Sequence, residues 1–420
     1  MTFSRFISSR LSLSTEANHR TPPGIIVAIG GIALAIAVML IAIAVTRGFK
    51  SEIEGKIEGF EPQLKVAPLY YDPEATASMT EFSPRIESAI RQEMIRYAAD
   101  SKTGVEVTGV VSVPVLLKTD SAFTGIALTA FEGNHNYGFE QKNLISGRLP
   151  AADSSREIAL SGLTANQLGL RTGDRVDAII FEGERMKPRR FKVSGIFSSA
   201  FSEFDRTIGY TSAACASRLV ACNGLVGYIG VRGLRDNELD EAALTLQSLA
   251  NRLLAEGEFD APQSVSTLKQ TGAAYFNWLD MLDTNIVVLI VLMGCVSGFM
   301  LITCLLILIL QRVRMIGVLS ALGANHGQLR RIFMQMGVRV IGLGLIIGNA
   351  VALGFIGAEA AWHFIPLDSE AYYLTYVPVS LGVWPWIAVN VGFALLALCL
   401  MIIPTGMVSR LQPASVINWD

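Results

Sequence analysis

The chain has 420 residues, of which 51% are hydrophobic and only 17% charged, and its mean hydropathy is +0.44. Soluble domains carry roughly a quarter charged residues, which argues against an ordinary cytosolic enzyme, and so high an apolar content excludes disorder. With 34 Lys and Arg against 36 Asp and Glu it is no broadly basic nucleic-acid binder, and five cysteines make no disulfide scaffold.

Charges are absent from four stretches and crowded between them. At the start, Phe3, Phe6, Ile7 and Leu11 follow helical spacing and predict an interfacial helix, with Arg10 on the same arc. Residues 24–46 then run without a charge, long enough for the roughly 20 residues that cross a bilayer. This apolar core exceeds the roughly 7–15 residues of a signal-peptide h-region, so it reads as an uncleaved span. Residues 47–60 mix Lys, Glu and Ile at helical period and predict a helix that carries the span outward, ending near Pro62.

Beyond it the pattern shifts to strands and turns. Residues 84–97 read as a helix with Ile86, Ile90 and Ile95 on its apolar face, and 105–117 and 126–131 as strands rich in β-branched residues. Residues 168–174 read as a helix end turning into a strand at 175–181, with isolated turn glycines at Gly162 and Gly169. A second alternating strand covers 189–197 and a short helix 211–220. The expected fold here is α+β, as two lobes. On one helix, Cys215 and Cys222 would have Cα atoms about 10 Å apart, too far for a bridge.

Leu268, Tyr275, Leu279 and Leu282 recur at helix-compatible spacings, a second stalk leading into the charge-free run 284–311. Runs 340–358 and 384–403 complete four spans, in which Cys295, Cys304 and Cys399 read as small packing residues. Gly344 and Gly348 permit close helix approach, either within the chain or between two copies.

Arg5, Arg10 and Arg20 precede the first span against Glu16 alone. The loop 311–339 holds Arg312, Arg314, Arg330, Arg331 and Arg339 with no acid, and the next loop holds Glu359, Asp368 and Glu370 with no base. Positive charge marks the cytoplasmic side, so both termini and the arginine loop are expected there. The chain then divides into 1–46 (interfacial helix and first span), 47–283 (extracytoplasmic α+β domain with flanking stalk helices) and 284–420 (three spans with the coupling loop).

Reaction chemistry is missing. There is no phosphate loop, no H-E-x-x-H, no paired C-x-x-C and no G-x-S-x-G elbow, and His19, His135, His326 and His363 fit no metal spacing. No catalytic residue, metal or cofactor is expected on this chain, and no charge lies inside a span to serve as an ion relay. Attention falls instead on the arginine loop. Ile316, Leu319 and Leu322 give a short helix an apolar side, a Gly323–Ala324 break follows, and Asn325 with Gln328 offers a capping box for the next helix. An apolar knob on an aqueous face calls for a partner protein with a groove, while the arginines also suit lipid head groups.

The stretch RVRMIGVLSALGANHGQLRRIF resembles the coupling-helix signature R-x-x-E-I-G-[VI]-L-[RK]-A-L-G-A of the FtsX-like, MacB-type ABC-transporter permeases. Within them the opening FISSRL, GIALAIAVMLIAIAVTRGFKSEI and the series GRLP, EIALS, LGLRTGDRV and KPRRFKVSGIFSSAFSEFDRTIGY are most similar to the lipoprotein-releasing permeases of Gram-negative inner membranes. The resemblance implies an α-helical membrane protein with four transmembrane helices plus a large α+β extracytoplasmic domain, stalk-mounted. It implies no catalysis by this subunit, since a separate ATPase dimer holds ATP and Mg and couples through Arg312, Arg314, Ile316, Gly317, Leu319, Ala321, Leu322, Gly323 and Ala324. It further implies a second permease copy or homologue, a lipoprotein substrate and a periplasmic carrier. Met315 departs from the family Glu, and 181–188 is a short connection where some members carry a long carrier-capturing hook. For the acyl chains of such a substrate, the outer halves of the first two spans offer Met39, Leu40, Ile43, Val287, Ile290, Leu292 and Met293. Rival expectations are an efflux or peptide-export permease of the same superfamily and a non-transporting, cell-division-type regulator of wall hydrolases.

Overall fold

The computed structural model describes residues 23–69, 79–100, 104–120, 122–154, 156–182, 185–220, 224–313, 316–318, 325–368, 372 and 374–407. The expected interfacial helix and Cys222 lie outside them. The chain divides into a helical unit (residues 1–51, 278–366 and 376–420) and a sheet unit (52–277 and 367–375).

In the helical unit, α1 (Pro23–Phe60) begins with a buried row, Ile25, Ala28, Ile32, Ile36 and Leu40, set three to four residues apart. This row packs with Leu301 and Leu305 of α9 (Ala273–Gln311), Val340 of α10 (His326–Trp362) and Phe393 and Met401 of α11 (Val383–Met407). Among the described residues four helices are long and apolar enough to cross a membrane: Gly24–Phe60, Ala273–Gln311, Gly327–Trp362 and Val383–Pro404. Glu359, read in sequence as a loop residue, sits in the last turns of α10 with no exposure; its Oε1 accepts from the Ile365 N–H at 3.4 Å.

The two glycines resolve to one of their two readings. A Cβ on Gly344 would meet Ile32 Cγ2 at 2.5 Å, and one on Gly348 would meet Ala33 O at 2.7 Å. Both bring α10 against α1 of the same chain. Replacing Gly348 with Leu forces this contact apart and is expected to cost about 1–3 kcal/mol, seen as a lower unfolding midpoint of the full chain in detergent. An unchanged midpoint would contradict this packing.

The sheet unit begins with β1 (Leu64–Pro68) and β2 (Thr80–Glu81). The helix α2 (Pro84–Met94) is capped by Ser83, whose Oγ accepts from the Ile86 N–H at 3.2 Å. Ile86 and Ile90 are buried as expected, but Ile95 is 62% exposed and Met94 takes its place. The chain tightens into a 3₁₀ turn at Ile95–Tyr97, and Met94, four residues after Ile90, keeps the inner face.

Then come β3 (Glu106–Lys118), β4 (Phe123–Gly133), α3 (Gly138–Lys142), β5 (Leu144–Gly147), β6 (Glu157–Ser161) and α4 (Gly162–Leu168), which ends on left-handed Gly169. β7 (Arg175–Glu182) and β8 (Arg185–Phe197) pair antiparallel from Arg175↔Lys192 to Glu182↔Arg185. The expected connection 181–188 is therefore mostly strand. α5 (Ser202–Thr207), β9 (Ile208–Thr211) and α6 (Ala213–Val220) follow, so the helix expected at 211–220 starts two residues late. β10 (Leu225–Val226), β11 (Tyr228–Arg232), α7 (Leu239–Ala255), β12 (Gln263–Thr267) and α8 (Leu268–Thr271) complete the unit. Gly272 separates α8 from α9, so the second stalk is two helices.

Two lobes are not found. One ten-stranded mixed sheet runs β12-β1-β11-β3-β4-β9-β6-β8-β5, with β7 pairing both β3 and β8. The length of β3, 13 residues paired with β4, β7 and β11, joins what the sequence reads as separate halves. Helices α2 and α7 bury Ile90, Met94, Leu246 and Leu249 against it. Cys215 lies in this core as a free thiol, its pKa pushed up by burial.

Candidate functional site

The helical unit holds an apolar cleft of about 590 Å³ lined by α1, α9 and α11. Its walls come close because small residues face it: Gly294 and Gly298, one turn apart on α9, and Gly392 on α11. A Cβ on Gly294 would stand 3.2 Å from Leu396, and one on Gly298 2.5 Å from Leu400. Met39, Ile290 and Phe393 supply bulk at the edges.

The expected acyl-binding set is only partly brought together. Met39 and Ile290 line the cleft. Leu40 and Ile43 are buried at 0% and 7% exposure but do not line it, and Met293 packs against the same helical core. Val287 and Leu292, at 59% and 54% exposure, project from the helix surface. The reason is helical phase: 290, 294 and 298 share one face of α9, whereas 292 lies about 200° away from 290. Sequence reading missed α11 altogether. Gly392 in a bulky apolar run was the available signal, but no periodicity tells which helix neighbours which.

Polar contacts hold these helices in place. Asn349 on α10 donates from Nδ2 to Asn390 Oδ1 on α11 at 2.6 Å, and its Oδ1 accepts from Trp386 Nε1 at 2.7 Å and Asn390 Nδ2 at 3.1 Å. Lys50 on α1 reaches Asp283 at 2.8 Å and Asp280 at 3.0 Å on α9, beside an edge-on Phe49–Trp278 pair.

Of the expected ATPase-coupling residues, Arg312, Ile316 and Gly317 are described; Arg314, Leu319, Ala321, Leu322, Gly323 and Ala324 lie outside the described residues, as does Met315. Ile316 is not part of an exposed knob. It is 3% exposed and packs with Ile309, Leu329, Phe333 and Met336, because the helix start at Leu329 folds back over it. Val318, which spacing alone did not single out, is 61% exposed. The capping box forms, with the Asn325 N–H donating to Gln328 Oε1 at 3.2 Å.

In the sheet unit the end of α1 is held on three sides. Arg232 Nη2 donates to the carbonyls of Gly59 and Phe60 at 3.3 and 3.2 Å, placing a cation on the helix C-terminus. Phe60 stacks on Phe204 at 4.5 Å, and Gly59 leaves room for the Phe139 ring, into which any Cβ would collide. Phe139 belongs to α3, which is anchored by His135. The imidazole, stacked on Phe131 at 3.7 Å, bridges Glu106 (Nδ1–Oε1 2.8 Å) and Glu140 (Nε2–Oε1 3.1 Å). The sequence holds no signal for this, since Glu106 lies on a different strand. Among the described residues no cluster of His, Cys, Asp or Glu could hold a metal.

Burial opposes the charge on His135, but its hydrogen bonds to Glu106 and Glu140 outweigh that and raise its pKa above the ordinary 6.5. Burial likewise opposes the Glu106 charge, yet His135 and the Asn136 N–H hold its pKa below 4.5. The histidine's contribution to stability is therefore complete below pH 6.5 and lost as pH rises through its raised value. The Glu106 contribution is present above pH 4.5 and lost as pH falls through its lowered value. The unfolding midpoint should fall as pH rises above 6.5, and His135→Gln should remove that dependence at a cost near pH 6 of about 1 kcal/mol. A His135→Gln profile parallel to wild type would refute the clamp.

Comparison with known proteins adds two matches to family models. Residues 25–245 match the MacB-like periplasmic core domain, and residues 286–413 match the FtsX-like permease C-terminal region. The lipoprotein-releasing system transmembrane protein LolC of Xylella fastidiosa (strain Temecula1 / ATCC 700964) is 23% identical over 414 residues, covering 93% of this chain and 92% of its own. LolC of Neisseria meningitidis serogroup B (strain ATCC BAA-335 / MC58) is 23% identical over 420 residues, covering 94% of each. The crystal structure of the periplasmic region of MacB from Actinobacillus actinomycetemcomitans aligns with TM-score 0.34 at 14% identity, covering 53% of this chain and 96% of that one.

Proposed function

We propose, from the premise that this chain belongs to the family of permeases with a MacB-like periplasmic core domain and an FtsX-like C-terminal region, that it extracts outer-membrane-directed lipoproteins from the bacterial inner membrane. It does so as the membrane subunit of an ABC transporter. The full-length similarity to LolC proteins supports this assignment, and the observation that carries it is the apolar cleft of about 590 Å³ in the helical unit. Each acyl CH₂ costs about 0.8 kcal/mol to remove from lipid, so a chain of about fifteen methylenes costs roughly 12 kcal/mol. Such a substrate leaves the bilayer only with an apolar shelter and an outside energy source.

That source is a separate ATPase dimer that binds ATP and Mg and docks on the segment 311–324, beneath this chain and a second permease subunit. Both termini lie in the cytoplasm and the sheet unit in the periplasm, where a soluble carrier receives the lipoprotein. ATP-driven closure moves the coupling segment, and α1, a single helix from Pro23 to Phe60, carries motion to its clamped end.

In cells depleted of this protein, outer-membrane lipoproteins should accumulate in the inner-membrane fraction. Normal sorting together with altered drug sensitivity would favour an export permease, and altered septation the cell-division reading. In the cleft, Gly392→Leu should reduce lipoprotein release at least about tenfold, since no atom stands within 4 Å of a Cβ there and the leucine side chain displaces a comparable length of acyl contact. At the coupling segment, Val318→Asp should abolish co-purification of the ATPase while the permease still inserts. Undiminished release or undiminished ATPase recovery would contradict the respective assignment.

A further inference from the structure

Between the turn before β6, strand β8 and helix α6 the sheet unit has a recess of about 380 Å³, toward the lower end of the roughly 300–1,000 Å³ of small-molecule sites. Four arginines surround it: Arg156, Arg189, Arg190 and Arg218, with Phe191 and Pro188 forming apolar wall. They come from three places in the chain. The Arg156 carbonyl accepts from the Lys192 N–H at 2.8 Å, Arg189 and Arg190 are consecutive on β8, and Arg218 stands in the last turn of α6. Phe191, 2% exposed, fixes the floor.

Arg190 is neutralised. Its Nε and Nη2 donate to the two Asp177 oxygens at 2.6 and 3.0 Å, a bidentate pair set by the cross-strand register Asp177↔Arg190. Among the described residues, no carboxylate makes an ion pair with Arg156, Arg189 or Arg218. Three guanidinium groups on separate elements thus line one concavity, with no carboxylate paired to them among the described residues. Their planar forks match the tetrahedral oxygens of a phosphate bidentately. The recess exceeds what a bare phosphate fills, and its remaining wall is apolar.

We propose that this recess binds the phosphate of a small organic phosphate of the glycerophosphate type, with Arg156, Arg189 and Arg218 as its ligands and the organic part against Pro188 and Phe191. The same chemistry is offered by a free glycerol phosphate and by the head group of an anionic phospholipid. Binding is read without transport, so the outcome does not depend on the cargo assigned above.

The test is calorimetric titration of the full chain in a neutral detergent at fixed ionic strength, with sn-glycerol 3-phosphate and with monomeric dihexanoylphosphatidylglycerol as probes and glycerol as control. At least one phosphate probe should bind and glycerol should not. Each of Arg156→Gln, Arg189→Gln and Arg218→Gln should weaken binding roughly tenfold or more, and Arg189→Lys should recover only part of the loss. Tighter binding of the lipid probe assigns the site to a head group, and tighter binding of glycerol 3-phosphate to a free metabolite. These arginines are exposed, so an unchanged thermal midpoint is expected and shows that the variants fold. The proposal is overturned if neither probe binds, if binding survives the triple Arg→Gln variant, or if the recess engages only the acidic surface of a protein.

Discussion

In hydrocarbon, one apolar side chain gains nothing by leaving lipid for another, so helices associate through close shape and through polar groups that lipid leaves unsatisfied. Helix α10 uses both within two turns. Gly344 and Gly348 let its backbone approach Ile32 and Ala33 of α1, and Asn349 hydrogen-bonds Asn390 and Trp386 of α11. With α10 fixed against α1 and α11, the remaining wall of the apolar cleft falls to α9, whose glycines at 294 and 298 let it approach Leu396 and Leu400 of α11.

The same helix α1 that takes part in this packing ends in the sheet unit under different rules, where water is near and charge becomes useful. Arg232 satisfies its last carbonyls, and aromatic contacts from Phe139 and Phe204 hold its final turn. Phe139 keeps its position because α3 is tied by His135 to the start of β3 through Glu106. The cost is a buried ionic group, affordable only because both ring nitrogens find carboxylates.

The cleft is lined by hydrocarbon and glycine, and the arginine-ringed recess recognises charge. One lining is apolar and the other cationic.

Much of this organisation was legible in the residue string. The charge-free runs placed the four spans, Asn325 and Gln328 announced the start of α10, and Ser83–Pro84 lies where α2 begins, because run length, capping and turn chemistry act between residues close in sequence. The likeness to the coupling signature pointed to the permease family for the same local reason. Ile316, by contrast, falls on the apolar side expected to meet a partner protein, yet Leu329 and Phe333 of α10 bury it within the chain, a contact that no periodicity describes. The expected lobes merged because pairing of β3 with β4, β7 and β11 is set between distant segments. Length, charge and spacing by themselves determined which segments are helices in lipid and which fold in water. Tertiary structure alone decided which helix the glycines face, which residues line the cleft and what surrounds His135, because each depends on neighbours dozens of positions away and on the rotation of one element against another.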